Sequence, residues 1–239
     1  MNINIFHFSN FSSGNYNLPT DTIDVWFFDR RELTPDMTDL PTLTENEQHK
    51  ILQYAQEESR MQHQASRCLL RLLLGKYLHI SPKKIPVCTN AHGKLFLDQN
   101  ALSPDGKSRL PKLYFNVSHT GTQLAFAFSC HTPVGIDIEE MRNHVRTASL
   151  ANRFFHPNEW ERFSHLSTTE SKQLFFRYWT IREAFVKGLG TGFSIPSDSF
   201  LINESISSKG LYEIAEYPNW RIQALPAPDG YMCSLAYQI

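Results

Sequence analysis

One rhythm occurs twice in this chain and restricts its fold more than any other feature. Thr120-Gly121-Thr122-Gln123-Leu124-Ala125-Phe126-Ala127-Phe128 and Asp229-Gly230-Tyr231-Met232-Cys233-Ser234-Leu235-Ala236-Tyr237 are each a glycine turn running into an apolar strand. Glycine supplies the backbone geometry of a tight turn, and apolar runs of this kind, rich in aromatic residues, favour strands. Each half also opens with a short strand, Asp24-Val25-Trp26-Phe27 or Gly135-Ile136-Asp137-Ile138, followed by helical segments and then further strands. The pattern predicts an α+β fold, a pseudo-twofold duplicated α/β unit in which each half is a small, mainly antiparallel sheet packed with helices. The seam near Pro133 gives halves of 1–132 and 133–239, with an active site expected between them.

A chain of 239 residues, 41% hydrophobic, is long enough to bury a sizeable core in two such halves. Cys68, Cys88, Cys130 and Cys233 are scattered, with neither C-x-x-C pairs nor Cys/His metal spacing, which predicts reduced thiols in a cytoplasmic protein without structural zinc. Met1 to Phe11 lacks the basic region and cleavage site of a signal peptide and reads as a first strand. No apolar run approaches the roughly 18 residues that span a bilayer. A net charge of -1 predicts no general affinity for nucleic acid or membrane, so any polyanionic ligand must meet local basic residues.

Thr44-Glu45-Asn46-Glu47 has the form of a capping box and opens a helical region of about 35 residues, best read as two helices, the second from about Ser59 to Leu78. Arg67 and Arg71 lie one turn apart on it, away from the apolar stripe of Cys68, Leu69, Leu72 and Leu73, where a solvated surface is the plain reading. His92-Gly93-Lys94 reads as a tight turn that presents a lysine. A loop, Ser103 to Pro111, precedes the strand Leu113 to Ser118, which runs into Asn116-Val117-Ser118-His119-Thr120-Gly121. Hydroxyls, an imidazole and a glycine there suit a turn that hydrogen-bonds phosphate oxygens, and an ordinary capped turn accounts for them equally well. From about Thr169 to Leu189, aromatic and aliphatic residues recur at helical spacing, and Glu183 and Lys187 stand one turn apart, as a surface ion pair would.

Val134 to Glu140 alternates at a period of two, which points Val134, Ile136 and Ile138 inward and sets Asp137 and Glu139 together on an outward, wet face. These two carboxylates are about 6.6 Å apart at their Cα atoms, close enough to share a cation. Taken alone, an acidic edge strand facing water is the commoner explanation for them.

Gly93-Lys94, Asn116-x-Ser118-His119-Thr120, Gly135-Ile136-Asp137-Ile138-Glu139 and Trp179-x-x-Arg182-Glu183-Ala184-x-x-Lys187 occur in this order. With Arg67 in its Ser-Arg-Cys-Leu-Leu context, the chain resembles the 4′-phosphopantetheinyl transferases of the larger, single-chain, surfactin-synthetase-activating type. The resemblance implies transfer of the phosphopantetheine arm of coenzyme A to a serine of an acyl or peptidyl carrier protein, releasing adenosine 3′,5′-bisphosphate. It also implies Mg2+, with Mn2+ able to substitute, on Asp137, Glu139 and Glu183. Arg67, Lys94, Ser118, His119 and Lys187 then hold coenzyme A, and Glu183 and Lys187 are the catalytic pair. Three converging carboxylates repel by about 4 kcal/mol per close pair at an effective dielectric near 20, so a cation between them is expected. Arg182 stands where the family pattern usually has lysine, which leaves a cationic role there but not one needing a deprotonatable amine. Because the duplication supplies both sides of the site, a monomer is expected. Two rival classes share these residues: a metal-dependent phosphohydrolase acting on a coenzyme A-like pyrophosphate, and a non-catalytic coenzyme A binding module. Apart from the resemblance, the segment from about Met141 to Phe163 is the candidate docking surface for the carrier, with Phe154, Phe155 and Phe163 as apolar contacts, although core packing is the commoner fate of such residues.

Overall fold

The computed structural model describes residues 1–12, 14–102, 112–204 and 210–239; the loop expected over Ser103 to Pro111 lies outside them. The chain divides into two compact units, Met1–Thr89 with Leu95–His131, and Asn90–Lys94 with Thr132–Ile239.

The first unit contains β1 (Asn2–His7), β2 (Thr22–Asp29), α1 (Glu45–Leu52), α2 (Glu57–Leu78), β3 (Val87–Thr89), β4 (Leu95–Leu97), α3 (Gln99–Leu102), β5 (Tyr114–Thr120) and β6 (Gln123–Ser129). Thr44 caps α1 as its sequence predicts: its side chain accepts from the Glu47 amide while Glu47 reaches back to the Thr44 amide. The four-stranded sheet has the order β1-β2-β6-β5, and β3 pairs with β4 as a separate hairpin. Leu69, Leu70, Leu73 and Leu74 of α2 pack with Trp26, Phe28, Phe126 and Phe128 to form its core. Their spacing is that of a single helical stripe, which is why α2 buries one face on the sheet.

The second unit contains β7 (Val134–Glu140), α4 (Thr147–Phe154), α5 (Pro157–Ser164), α6 (Thr168–Leu189), β8 (Ile202–Glu204), β9 (Leu211–Ile214), β10 (Trp220–Leu225) and β11 (Tyr231–Gln238). Its five strands are ordered β7-β11-β10-β9-β8. Ser167 and Glu170 cap the start of α6, and Gly190, at φ 74°, ends it. Phe175, Tyr178, Ile181 and Phe185 of α6 share a core with Trp220, Ile222 and Ala236.

The two units follow the same path. In each, a strand is followed by helices and then a hairpin whose second strand returns beside the first, β2-β6-β5 in one and β7-β11-β10 in the other. Gly121 and Gly230, the glycines of the repeated rhythm, take φ of 55° and 84° in the two hairpin turns. The fold is therefore the duplicated α+β unit.

Candidate active site

In the second unit everything turns on how closely β7 approaches α6. A Cβ built on Gly135 would lie 2.0 Å from the Ala184 carbonyl oxygen and 2.3 Å from the Gly188 nitrogen, and one built on Gly188 would lie 2.6 Å from the Trp220 ring. Only glycine permits backbones to cross at that distance. Gly135, Asp137 and Glu139 alternate onto one face of β7, so the carboxylates stand on the face that α6 covers. This corrects the wet-face expectation: Asp137 is 2% exposed, and Val134, Ile136 and Ile138 on the opposite face are buried as well. Period two assigns residues to faces, but it does not say what covers either face.

The Lys187 ammonium donates to Asp137 Oδ1 at 2.5 Å, with side-chain exposures of 30% and 3%. Burial disfavours that ammonium, but the Asp137 carboxylate, supported by Glu183 and Glu139, outweighs burial and holds the Lys187 pKa above its usual value. The expected Glu183–Lys187 surface pair is not formed. Glu183 is half-buried and makes no ion pair among the described residues. Burial and the neighbouring Asp137 charge push its carboxyl pKa up, with Lys187 acting in the other direction.

Arg182 departs furthest from a cationic role at the substrate. It is 1% exposed and pairs with the fully buried Glu159, while its Nε donates to the Ser197 carbonyl at 3.1 Å. Glu159 in turn accepts the Ile202 amide at 2.7 Å. Arg182 therefore fastens α6 to α5 and to the chain entering β8. Lys94 also differs from its expected phosphate role, since its ammonium donates to the carbonyls of Gly188 at 2.7 Å and Val134 at 3.3 Å. Phe155 and Phe163 are core residues, and only Phe154 of the three phenylalanines expected to meet a carrier is half-buried.

In the first unit, α1, α2 and the β3–β4 hairpin enclose a cavity of about 570 Å³ lined by Lys50, Tyr54, His63, Arg67, Arg71 and Cys88 among others. Arg71 is consumed by the fold, donating to Glu47 at 2.7 Å and to the Pro82 carbonyl at 2.7 Å. Arg67 makes no ion pair among the described residues, and burial lowers its pKa although Glu47 and Tyr54 oppose the shift. Neither arginine occupies the plain solvated surface that helical spacing suggested. His63 stacks on Tyr54 with ring centroids 4.1 Å apart and meets the edge of His119 at 4.9 Å. Burial, and then the Arg67 charge, depress the His63 pKa. Sequence reasoning did not single out Lys50, Tyr54 or His63. His63 lies one turn before Arg67, and that spacing was the signal available.

β5 runs through Thr120, so Ser118 and His119 lie in a strand and the turn begins at Gly121. Adjacent strand residues face opposite sides, which sets Ser118 on the side of β5 away from His119 and the Arg67 cavity.

Among the described residues, no three His, Cys, Asp or Glu side chains are grouped so as to hold a metal ion by themselves. The donor set nevertheless fits a hard cation shared with a substrate. Asp137 acts electrostatically on Glu183, and Glu139 acts on Lys187 from the same strand face. Mg2+ commonly binds one or two carboxylates together with substrate phosphates.

Residues 34–131 match the N-terminal model of the 4′-phosphopantetheinyl transferases, and residues 133–236 match the model of the 4′-phosphopantetheinyl transferase superfamily. The chain belongs to the 4′-phosphopantetheinyl transferase superfamily. It is 28% identical over 223 residues to the 4′-phosphopantetheinyl transferase HetI of Nostoc sp., covering 93% of this chain and 90% of that protein. It is 28% identical over 192 residues to the transferase gsp of Aneurinibacillus migulanus, covering 80% and 75%. To Sfp of Bacillus subtilis it is 31% identical over 134 residues, covering 56% and 54%. As a member of this superfamily the chain is a 4′-phosphopantetheinyl transferase.

Proposed function

We propose that the reacting phosphate is handled on the covered face of β7, by Asp137, Glu139, Glu183 and Lys187, while Arg67 and His119 bind phosphate groups of coenzyme A. The observation that carries this reading is the pairing of Lys187 with Asp137 beside a Glu183 whose carboxyl pKa is raised. A carboxylate whose pKa is raised is a stronger base than an ordinary glutamate, and the proton it would accept here is that of the carrier's serine hydroxyl. Lys187 offers a cation on a rigid helix where negative charge redistributes as the pyrophosphate bond breaks. Asp137, Glu139 and Glu183 are the residues that would hold Mg2+ or Mn2+. The metal, when bound, neutralises the pyrophosphate and lowers the cost of separating charge onto adenosine 3′,5′-bisphosphate. An arginine that makes no ion pair among the described residues, in a cavity large enough for part of a nucleotide, matches an anionic ligand.

The protein acts as a monomer in the cytoplasm on this reading; among the described residues no helix is long and apolar enough to cross a membrane. The test is the mass of an apo carrier protein after incubation with coenzyme A and Mg2+. A gain of one phosphopantetheine supports the transferase, and its loss on adding a chelator supports the metal. Phosphate or phosphopantetheine released without a carrier would indicate the phosphohydrolase instead.

A further inference from the structure

Resting on the reading of Asp137, Glu183 and Lys187 as the reacting cluster, we propose that Lys94 is a positioning residue for transfer, clamping the end of α6 to the start of β7. Its ammonium grips both backbones where they cross. The Gly188 carbonyl belongs to the last turn of α6, whose carbonyls lack helical partners and carry the negative end of the helix dipole. The Val134 carbonyl immediately precedes Gly135, the glycine whose missing side chain lets β7 meet Gly188. Lys187 is the residue before Gly188, and Asp137 lies three positions after Val134. A slip at the crossing therefore moves both charges of the cluster.

The lysine is held in place by its own loop. Asn90 Oδ1 accepts the amides of His92 and Lys94 at 2.9 Å each, and Asn90 Nδ2 donates to the Gly190 carbonyl at 2.9 Å. Gly93 turns the loop with φ 88°, and a Cβ on Gly190 would lie 2.9 Å from Lys94 Cδ. Residues Asn90–Lys94 accordingly belong to the compact unit of α6 and β7, although their chain neighbours β3 and β4 do not. Burial lowers the Lys94 pKa to about 8, and at pH 7 the ammonium form that donates to the two carbonyls still predominates.

Steady-state transfer by the full chain, with coenzyme A, Mg2+ and an apo carrier protein, separates this role from a phosphate contact. Lys94→Met keeps the length and removes the donors. We expect kcat to fall tenfold or more with the KM for coenzyme A within twofold, and Lys94→Arg to restore part of the rate. A KM raised tenfold at unchanged kcat, or a kcat within twofold of the native value, overturns the proposal. Should Lys94→Met fail to fold, Asn90→Ala decides by the same split, with a smaller expected fall in kcat of about threefold at constant KM. A Lys187→Ala variant run alongside isolates the underlying reading: if it keeps native kcat, the reacting cluster itself is misassigned, whatever Lys94 does.

Discussion

Lys187 reaches across the Gly135–Gly188 crossing to bond Asp137 on β7, while Glu183, one turn away on its own helix, is left beside the pair. An i,i+4 pair on a solvated helix would contribute only about 0.3–0.5 kcal/mol. A lysine set against a buried aspartate has more depending on it. Lys187→Ala should lower kcat by roughly 100-fold or more, about 2.7 kcal/mol in the barrier. It should also destabilise the protein by about 2 kcal/mol, because Asp137 keeps a buried charge without that counter-ion. Lys187→Arg should recover part of both, since the broader guanidinium cannot occupy the same point. Rates at saturating coenzyme A and carrier, with thermal unfolding alongside, check this; a drop under about threefold would return Lys187 to a simple surface role.

Glu183 carries a pH signature. Burial and the Asp137 charge raise its carboxyl pKa in the folded protein. The folded state then holds a proton that the unfolded state has released, so stability contributed by Glu183 is lost as pH rises through the folded pKa. In metal-free protein, Glu183→Gln should therefore be more stable than the native chain at pH 7. The advantage should vanish below the ordinary glutamate value of about 4.5. Asp137→Asn should bring the Glu183 pKa back down, which a carboxyl-carbon NMR titration would read directly. No movement on that substitution would mean the two carboxylates are not coupled.

Features encoded within a few residues were legible in the sequence. The Thr44–Glu47 box, the break between α1 and α2, the glycine that ends α6 and the repeated hairpins all follow from local backbone chemistry. What escaped is set by partners distant in sequence. Asp137 looked solvated because alternation cannot show that α6 lies over its face, and Arg182 looked like a site cation because Glu159 stands 23 residues earlier. The lysine of the His92-Gly93-Lys94 turn was recognisable, but not the carbonyls it serves, 40 and 94 positions away.

Arg182 gives a test of stability rather than binding. Arg182→Lys removes the planar fork that reaches Glu159 and the Ser197 and Phe200 carbonyls together. It should cost about 3 kcal/mol, seen as a lower Tm, with the KM for coenzyme A within about twofold. An unchanged Tm with a raised KM would move Arg182 to the substrate.

The cavity of the first unit makes the opposite prediction. Arg67→Ala should leave folding nearly intact, since no ion pair among the described residues is lost, and raise the KM for coenzyme A by about tenfold or more. His119→Ala should act in the same direction by a smaller factor. If neither substitution changes the KM, the cavity does not receive coenzyme A.

The crossing itself supplies the most demanding test. In Gly135→Ala the new methyl would meet the Ala184 oxygen at 2.0 Å, and because that atom is backbone no side chain can swing aside. Restoring an ordinary contact of 3.4 Å needs a separation of about 1.4 Å (3.4 minus 2.0) between β7 and α6, the two elements that carry the reacting groups. A displacement near 1 Å at a reacting centre costs on the order of 100-fold in rate, and overpacking a core costs about 1–3 kcal/mol. Gly135→Ala should show both losses. Gly230→Ala is the control: nothing lies within 4 Å of its Cβ, but its φ of 84° strains any side chain. It should lose about 1 kcal/mol of stability and keep its kcat. If both variants retain kcat, close passage at Gly135 does not set the geometry of transfer.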